Sequence, residues 1–310
     1  MADLQDLLLK SSRTFALSIP LLPEPTANEV CIAYLLFRIA DTFEDSTAWS
    51  QERRVEALQD FKALLDQPEA ERCAELARRW TDQPPCDHEG YLELLSEVPA
   101  VMAAFSQLTP EAREQVRLHT ARTADGMMIY VARTDDRGTL RLEDVADLQA
   151  YCYIVAGIVG EMLTELFLLG TEELEPVAVE LRQRARAFGE GLQLVNILKD
   201  AASDADEGRT YLPADTERKD VFALARRDLG TASDYTQILQ RSGAPEGVVA
   251  FCALPVLLAW GTLARVEEKG AGAKLTRPEV FAITMAMNHA LQNDQPVIPL
   301  EVREQPIPPT

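Results

Sequence analysis

Apolar residues recur three and four positions apart along almost the whole chain, the periodicity of helices that bury one face. A short N-terminal helix is predicted before Pro20, Pro23 and Pro25 break the pattern. Thr26 and Glu29 then have the form of a capping box, and a helix is expected from there to about Ser46. Residues 51–65 and 69–80 read as amphipathic helices, separated from the next by the turn at Gln83-Pro84-Pro85. Thr109 followed by Pro110 is a helix start, with a hydroxyl cap and proline at the first helical position. That helix is expected to reach Val131. After the loop at Asp135–Gly138, helices are predicted over about 144–169, 176–202, 214–241, 247–268 and 277–293. The proline-bearing tail from Gln295 is expected to be irregular. No fixed-period repeat and no long linker interrupts this series, so the expectation is one all-α domain over 1–294 with a tail over 295–310.

Composition supports the same class. The chain is 47% hydrophobic and only 6% aromatic, and β-branched residues rarely cluster. The stretch Gly247–Ala264 carries no charge. Pro255 and Gly261 interrupt it, so a buried core helix is expected, with peripheral contact with a membrane as the alternative. The formal net charge of −20 repels nucleic-acid backbones at long range, so no nucleic-acid partner is expected. It admits an anionic ligand only where cations stand between ligand and carboxylates. Five cysteines without a CxxC pair argue against a zinc site or a disulfide framework. With an acidic start at Met1–Lys10 that lacks a basic leader, the expected location is the cytoplasm.

Two helices carry the candidate chemistry. Tyr34, Arg38, Asp41 and Asp45 are spaced four, three and four apart, and Gln193, Asn196, Asp200 and Asp204 three, four and four. Each set therefore shares one helix face. Acidic groups at a helix C-terminus oppose the macrodipole, so something must compensate. Either cluster alone reads as a solvated face. Two such pairs, each with apolar or amide residues one and two turns back, read as the walls of a cleft. Mg²⁺ takes one or two carboxylates, several waters and substrate phosphate oxygens. Aspartates on successive turns therefore suit the ionisation of a diphosphate. Arg13, Arg38, Lys199 and Arg209 are the basic candidates.

In four ordered blocks over residues 11–212 the chain resembles the squalene/phytoene synthase family, which joins two isoprenyl diphosphates head to head. The blocks are Ser11-Ser12-Arg13-Thr14-Phe15, Arg38 through Asp45, Tyr151 through Gly160, and Gln193 through Pro213. The resemblance implies the all-α isoprenoid synthase fold, with antiparallel helices around a central apolar cavity. It implies that Asp41, Asp45, Asp200 and Asp204 bind Mg²⁺, joined by Glu44 and Asn196. Ser12, Arg13, Arg38, Lys199, Arg209 and Tyr211 are then diphosphate contacts. Tyr151 stands near the reacting carbons, and Gln193 lines the same pocket. Phe15, Phe37, Val155, Val159 and Leu192 enclose the hydrocarbon. The substrates implied are isoprenyl diphosphates, with NADPH a further cofactor where the product is squalene. No obligate protein partner is implied.

The departures from the family pattern concern the product. Lys199 stands where the family usually has arginine, and it lacks the bidentate fork. The first motif, Asp-Thr-Phe-Glu-Asp, is similar to that of squalene synthases, whereas Glu207-Gly208-Arg209 is similar to phytoene synthases. Squalene or a related C30 hydrocarbon is the leading expectation. Phytoene synthesis, cyclisation of a single prenyl diphosphate and a non-enzymatic helical assembly factor are the alternatives. His88, His119 and His289 form no metal pattern. Met127 and Met128 read as core filler, and Gly157 and Gly160 as close helix packing.

Overall fold

A computed structural model describes residues 3–12, 15–135, 138–206 and 208–304. The chain is all-α and divides into two compact units, residues 1–20 with 24–140 and residues 21–23 with 141–310.

In the first unit the helices are α1 (Leu4–Ser11), α2 (Phe15–Ser18), α3 (Thr26–Glu44), α4 (Gln51–Asp66), α5 (Ala70–Asp82), α6 (Glu89–Ser96), α7 (Val98–Ser106) and α8 (Pro110–Val131). The start of α8 is as expected, with Thr109 accepting from Ala112 N and Pro110 in the first turn. The predicted capping box at Thr26 is not formed. Pro25 occupies the cap position in an α conformation without a side-chain bond, so Thr26 already lies inside the helix and is buried. The pair α6 and α7 goes beyond the sequence reading. Each is only two turns long, and Pro99 stands in the first turn of α7.

The acidic C-terminus of α3 rests on an aromatic cluster. Phe43 packs against Trp80 at 4.7 Å, Trp49 at 5.6 Å and Phe61 at 6.4 Å. Its dipole is compensated by buried Arg54, whose Nε donates to the Phe43 carbonyl at 3.3 Å and whose Nη2 donates to that of Glu44. A cation there satisfies carbonyls that have no partner within the helix and offsets their partial negative charge. Asp41 and Asp45 are thus tolerated because the charge behind them is positive.

In the second unit lie α9 (Val145–Cys152), a π-helical turn (Tyr153–Gly157), α10 (Ile158–Gly170), α11 (Ala178–Asp206), α12 (Arg218–Arg241), α13 (Glu246–Lys269), α14 (Arg277–Gln292) and α15 (Leu300–Glu304). The helix expected over 144–169 is present, with Asp144 capping the Asp147 amide, but it is interrupted by the π turn. The tail is not wholly irregular, since α15 forms within it. α13 is the core helix expected of its composition: Val248 through Leu257 is buried. Residues 145–170 and 246–269 are both long and apolar enough to cross a membrane; the apolar window in each is 50% and 78% buried inside the protein.

α11 is the spine of this unit and packs against α9, the π turn, α10, α12 and α13. Two glycines set the closest approach. A Cβ on Gly160 lies 2.1 Å from the Ala185 carbonyl oxygen, and one on Gly189 lies 1.9 Å from that of Ala156. Only hydrogen fits at either crossing. The predicted role of Gly160 in close packing is therefore met. Phe188 against Tyr235, 5.0 Å between centroids, closes the α11–α12 core.

Candidate active site

In the first unit the site is built outward from Arg38. Its guanidinium lies between two phenol rings, with Tyr34 one turn back at 5.6 Å and Tyr91 on α6 at 5.3 Å. Nη2 donates to the Tyr34 hydroxyl at 3.2 Å, and that hydroxyl donates to the Ser11 carbonyl at 3.0 Å. Nη1 stands 3.4 Å from Asp41 Oδ2. Nε is buried without a hydrogen-bond partner among the described residues, an N–H that remains available to an anion. Ser12 ends α1 and accepts from Phe15 N at 3.0 Å, and the Phe15 ring sits 5.5 Å from Tyr34.

Asp41 and Asp45 share a face one turn apart, as their spacing predicts, and Asp45 is exposed. Burial pushes the Asp41 carboxyl up to about 6, against the pull of Arg38 and with a further push from Asp45. Asp41 nevertheless keeps 30% of its side-chain surface accessible. It is a crowded carboxylate that an ion can still reach. Glu44, expected beside them, is only 4% exposed. Arg13 lies outside the described residues.

In the second unit α11 presents a partly accessible stripe. Leu192, Gln193, Asn196, Lys199, Asp200, Ser203 and Asp204 all reach the surface, while Leu194, Val195, Ile197 and Leu198 are buried. Lys199 Nζ bridges the stripe, donating to Asn196 Oδ1 at 3.2 Å and pairing with Asp200 Oδ2 at 3.1 Å. Tyr151 is buried at the end of α9, and its hydroxyl donates to that of Tyr211 at 3.0 Å. The two rings stack at 4.8 Å. Tyr211 follows the short strand Arg209–Thr210, whose Thr210 carbonyl accepts from Leu142 N at 3.2 Å. Through the π turn, Tyr153 to Ala156 stay partly accessible, as does Val159. Such turns widen a helix locally and often mark functional sites. Arg209 is half-buried, and Glu207 lies outside the described residues.

The carboxylates present are of the donor type a hydrated hard cation takes. Among the described residues no three His, Cys, Asp or Glu side chains converge on one metal position. A hard cation that keeps its waters needs only one or two carboxylates from the protein. Asp41 and Asp45 are two such carboxylates one turn apart, and Asp45 pushes the Asp41 carboxyl up.

A helical scaffold with acidic motifs on two of its helices defines a class, the all-α isoprenoid synthase fold. Solved structures agree. TcSQS bound to the ligand BPH1237 superposes with a TM-score of 0.71 at 25% identity, covering 93% of this chain and 87% of that one. HpnC from Alicyclobacillus acidocaldarius shares the fold at a TM-score of 0.51 and 18% identity, covering 86% of this chain and 92% of that one. The family-wide pattern described as squalene/phytoene synthase matches residues 8–221, and the chain belongs to that family. Squalene synthase of Yarrowia lipolytica is 30% identical over 282 residues, 83% of this chain and 59% of its own length. That of Bos taurus is 29% identical over 275 residues, 82% and 61% respectively. The chain thus spans about three-fifths of the curated relatives it matches.

Proposed function

We propose that the chain is a magnesium-dependent prenyltransferase that condenses two farnesyl diphosphates head to head, giving squalene or a related C30 hydrocarbon. The observation that carries this is the Arg38 site, where a buried Nε–H without a partner among the described residues stands beside a carboxylate pair crowded enough to favour a cation. The names of the relatives, squalene synthases among them, support C15 substrates.

Asp41 and Asp45 hold magnesium at one motif, and Asp200, Asp204 and Asn196 at the other. When bound, the ion neutralises charge that develops on departing diphosphate. Arg38 donates N–H groups to phosphate oxygens, and Lys199 and Arg209 add point charge; Ser12 and Tyr211 extend the contact. Breaking the C–O bond of one substrate leaves an allylic cation, which the double bond of the second attacks. Loss of a proton, for which the Tyr151–Tyr211 hydroxyl pair is the proposed acceptor, closes a cyclopropane. The second diphosphate then leaves and the carbon skeleton rearranges. NADPH, where bound, would supply the hydride that gives squalene; without it, proton loss gives a more unsaturated product. Phe15, Phe37, Val155, Val159 and Leu192 keep water from the cations.

Product analysis by mass spectrometry tests this reading. Farnesyl or geranylgeranyl diphosphate is supplied with magnesium, with and without NADPH. A C30 hydrocarbon from the C15 substrate is expected. A C40 product makes the chain a phytoene synthase, and a cyclic C15 product makes it a cyclase. No turnover of either substrate with magnesium present overturns the assignment.

A further inference from the structure

Arg38 is the centre of a longer stack than its two flanking tyrosines. Beyond Tyr34 lies the Phe15 ring at 5.5 Å, tilted by 44°, and beyond Tyr91 lies the His88 ring at 3.9 Å, stacked 26° from parallel. The order is Phe15, Tyr34, Arg38, Tyr91, His88, with α2 and α3 supplying one half and the start of α6 the other. His88 is also the N-cap of α6, accepting from Tyr91 N through Nδ1 at 3.3 Å. One residue thus caps the helix and backs the tyrosine ring.

The position of α6 is set tightly. A Cβ on Gly90 lies 2.4 Å from the Lys10 carbonyl oxygen, so the first turn of α6 sits directly on the end of α1. Lys10 Nζ pairs with Glu93 at 2.7 Å one turn further on. The loop before α6 is tied back as well: Ser46 Oγ donates to the Pro85 carbonyl at 2.8 Å and Trp49 Nε1 to that of Gln83 at 2.8 Å. The Tyr91 ring is therefore a fixed wall.

That wall explains two features of Arg38. A guanidinium beside a carboxylate ordinarily forms charge-assisted bonds of about 2.7–2.9 Å, often two in parallel. Here the single approach to Asp41 is 3.4 Å, and Nε has no partner among the described residues. A planar cation seated between two π faces is attracted to both and keeps its plane. It does not swing onto Asp41. Both the guanidinium and the carboxylate consequently stay available.

We propose that Tyr91, backed by His88, is a positioning residue. It holds the Arg38 guanidinium off Asp41, so that the arginine can take diphosphate while the carboxylate takes a cation. This rests on the diphosphate reading of the Arg38 site. Removing the ring lets Arg38 close on Asp41, and both ligands lose their contact at once.

The test is calorimetric binding of inorganic diphosphate in the presence of magnesium to the full chain and to Tyr91→Leu and Tyr91→Phe, beside thermal melts of each. Kinetics with farnesyl diphosphate follow. Tyr91→Leu is expected to weaken diphosphate binding about tenfold and to raise KM more than it lowers kcat. Tyr91→Phe, which keeps the ring, is expected to restore affinity to within about threefold of wild type. Equal affinity in Tyr91→Leu and wild type, or a Tyr91→Phe as weak as Tyr91→Leu, overturns the role of the ring while wild-type binding leaves the site reading standing. A wild-type chain that binds no diphosphate with magnesium overturns the site reading and this inference with it. Should Tyr91→Leu melt well below wild type, His88→Ala, which loosens the ring without removing it, is expected to weaken binding in the same direction. Unchanged binding in it overturns the inference.

Discussion

Replacing Asp41 with asparagine is expected to make the protein more stable at alkaline pH while abolishing its activity. Burial lifts the Asp41 carboxyl from an ordinary 3.8 to about 6. The folded state therefore holds the proton more tightly than the unfolded chain does. The resulting stabilisation is complete at acid pH and is lost as pH rises through about 6. At pH 8 the ionised carboxylate is a net burden on the fold. A shift of this size is worth up to about 3 kcal/mol. With 30% of the side chain accessible, screening by water reduces it to about 1–2 kcal/mol. Asparagine removes the charge and keeps an oxygen towards Arg38, so most of that burden disappears. For a unit of this size about 1–2 kcal/mol corresponds to a melting shift of roughly 2–8 °C. Calorimetric melts of wild type and Asp41→Asn at pH 5 and pH 8, with chelator and with magnesium, measure it. The variant should melt higher than wild type at pH 8 without metal and by only about half that margin at pH 5, which lies between the ordinary value of 3.8 and the raised one of about 6. Magnesium should raise wild type at pH 8 by more than it raises the variant, which keeps the Asp200–Asp204 motif. A variant destabilised by the same amount at both pH values refutes the reasoning.

At the α11 crossing, Gly189→Ala places a Cβ against a backbone oxygen that cannot swing aside, and a loss of about 3 kcal/mol is expected by urea unfolding; an unchanged midpoint contradicts the packing. Asp228 on α12 is buried with Oδ2 unpartnered among the described residues, and burial raises its carboxyl against the pull of Arg227. Its stabilising contribution is likewise lost as pH rises from the ordinary value of 3.8 through the raised one, so Asp228→Asn should gain stability relative to wild type on going from below pH 3.8 to pH 8 in urea titrations. Lys199→Arg restores a fork where a point charge stands, and calorimetry should record diphosphate binding with magnesium about two- to threefold tighter.

The long helices and the accessible stripe of α11 were legible because periodicity and surface position are local properties. Asp200, Asp204 and Gln193 lie on the stripe that their spacing implies. Caps were less legible. Thr26–Glu29 and Thr276–Glu279 have the same spelling, yet only the second forms a capping box. At the first, Pro25 has taken the cap position. The helices α6 and α7 are too short for periodicity to register, and so nothing local tied Tyr91 or His88 to the site. Arg54 was missed for another reason: the charge that compensates the end of α3 comes from α4, on the far side of a turn. The Tyr151–Tyr211 bond joins residues 60 positions apart, and no local pattern encodes it. The π turn at Tyr153–Gly157 packs against Gly189, whose partner oxygen belongs to Ala156, and no local pattern marks that contact either.

Release of inorganic diphosphate from farnesyl diphosphate, followed with and without magnesium in wild type, Asp45→Asn and Asp204→Asn, puts the central claim to the most direct trial. Wild type should release diphosphate only with the metal, and each variant should be slower by about a hundredfold or more with its helical content intact. Metal-independent release by wild type, or a rate near wild type in either variant, contradicts the account.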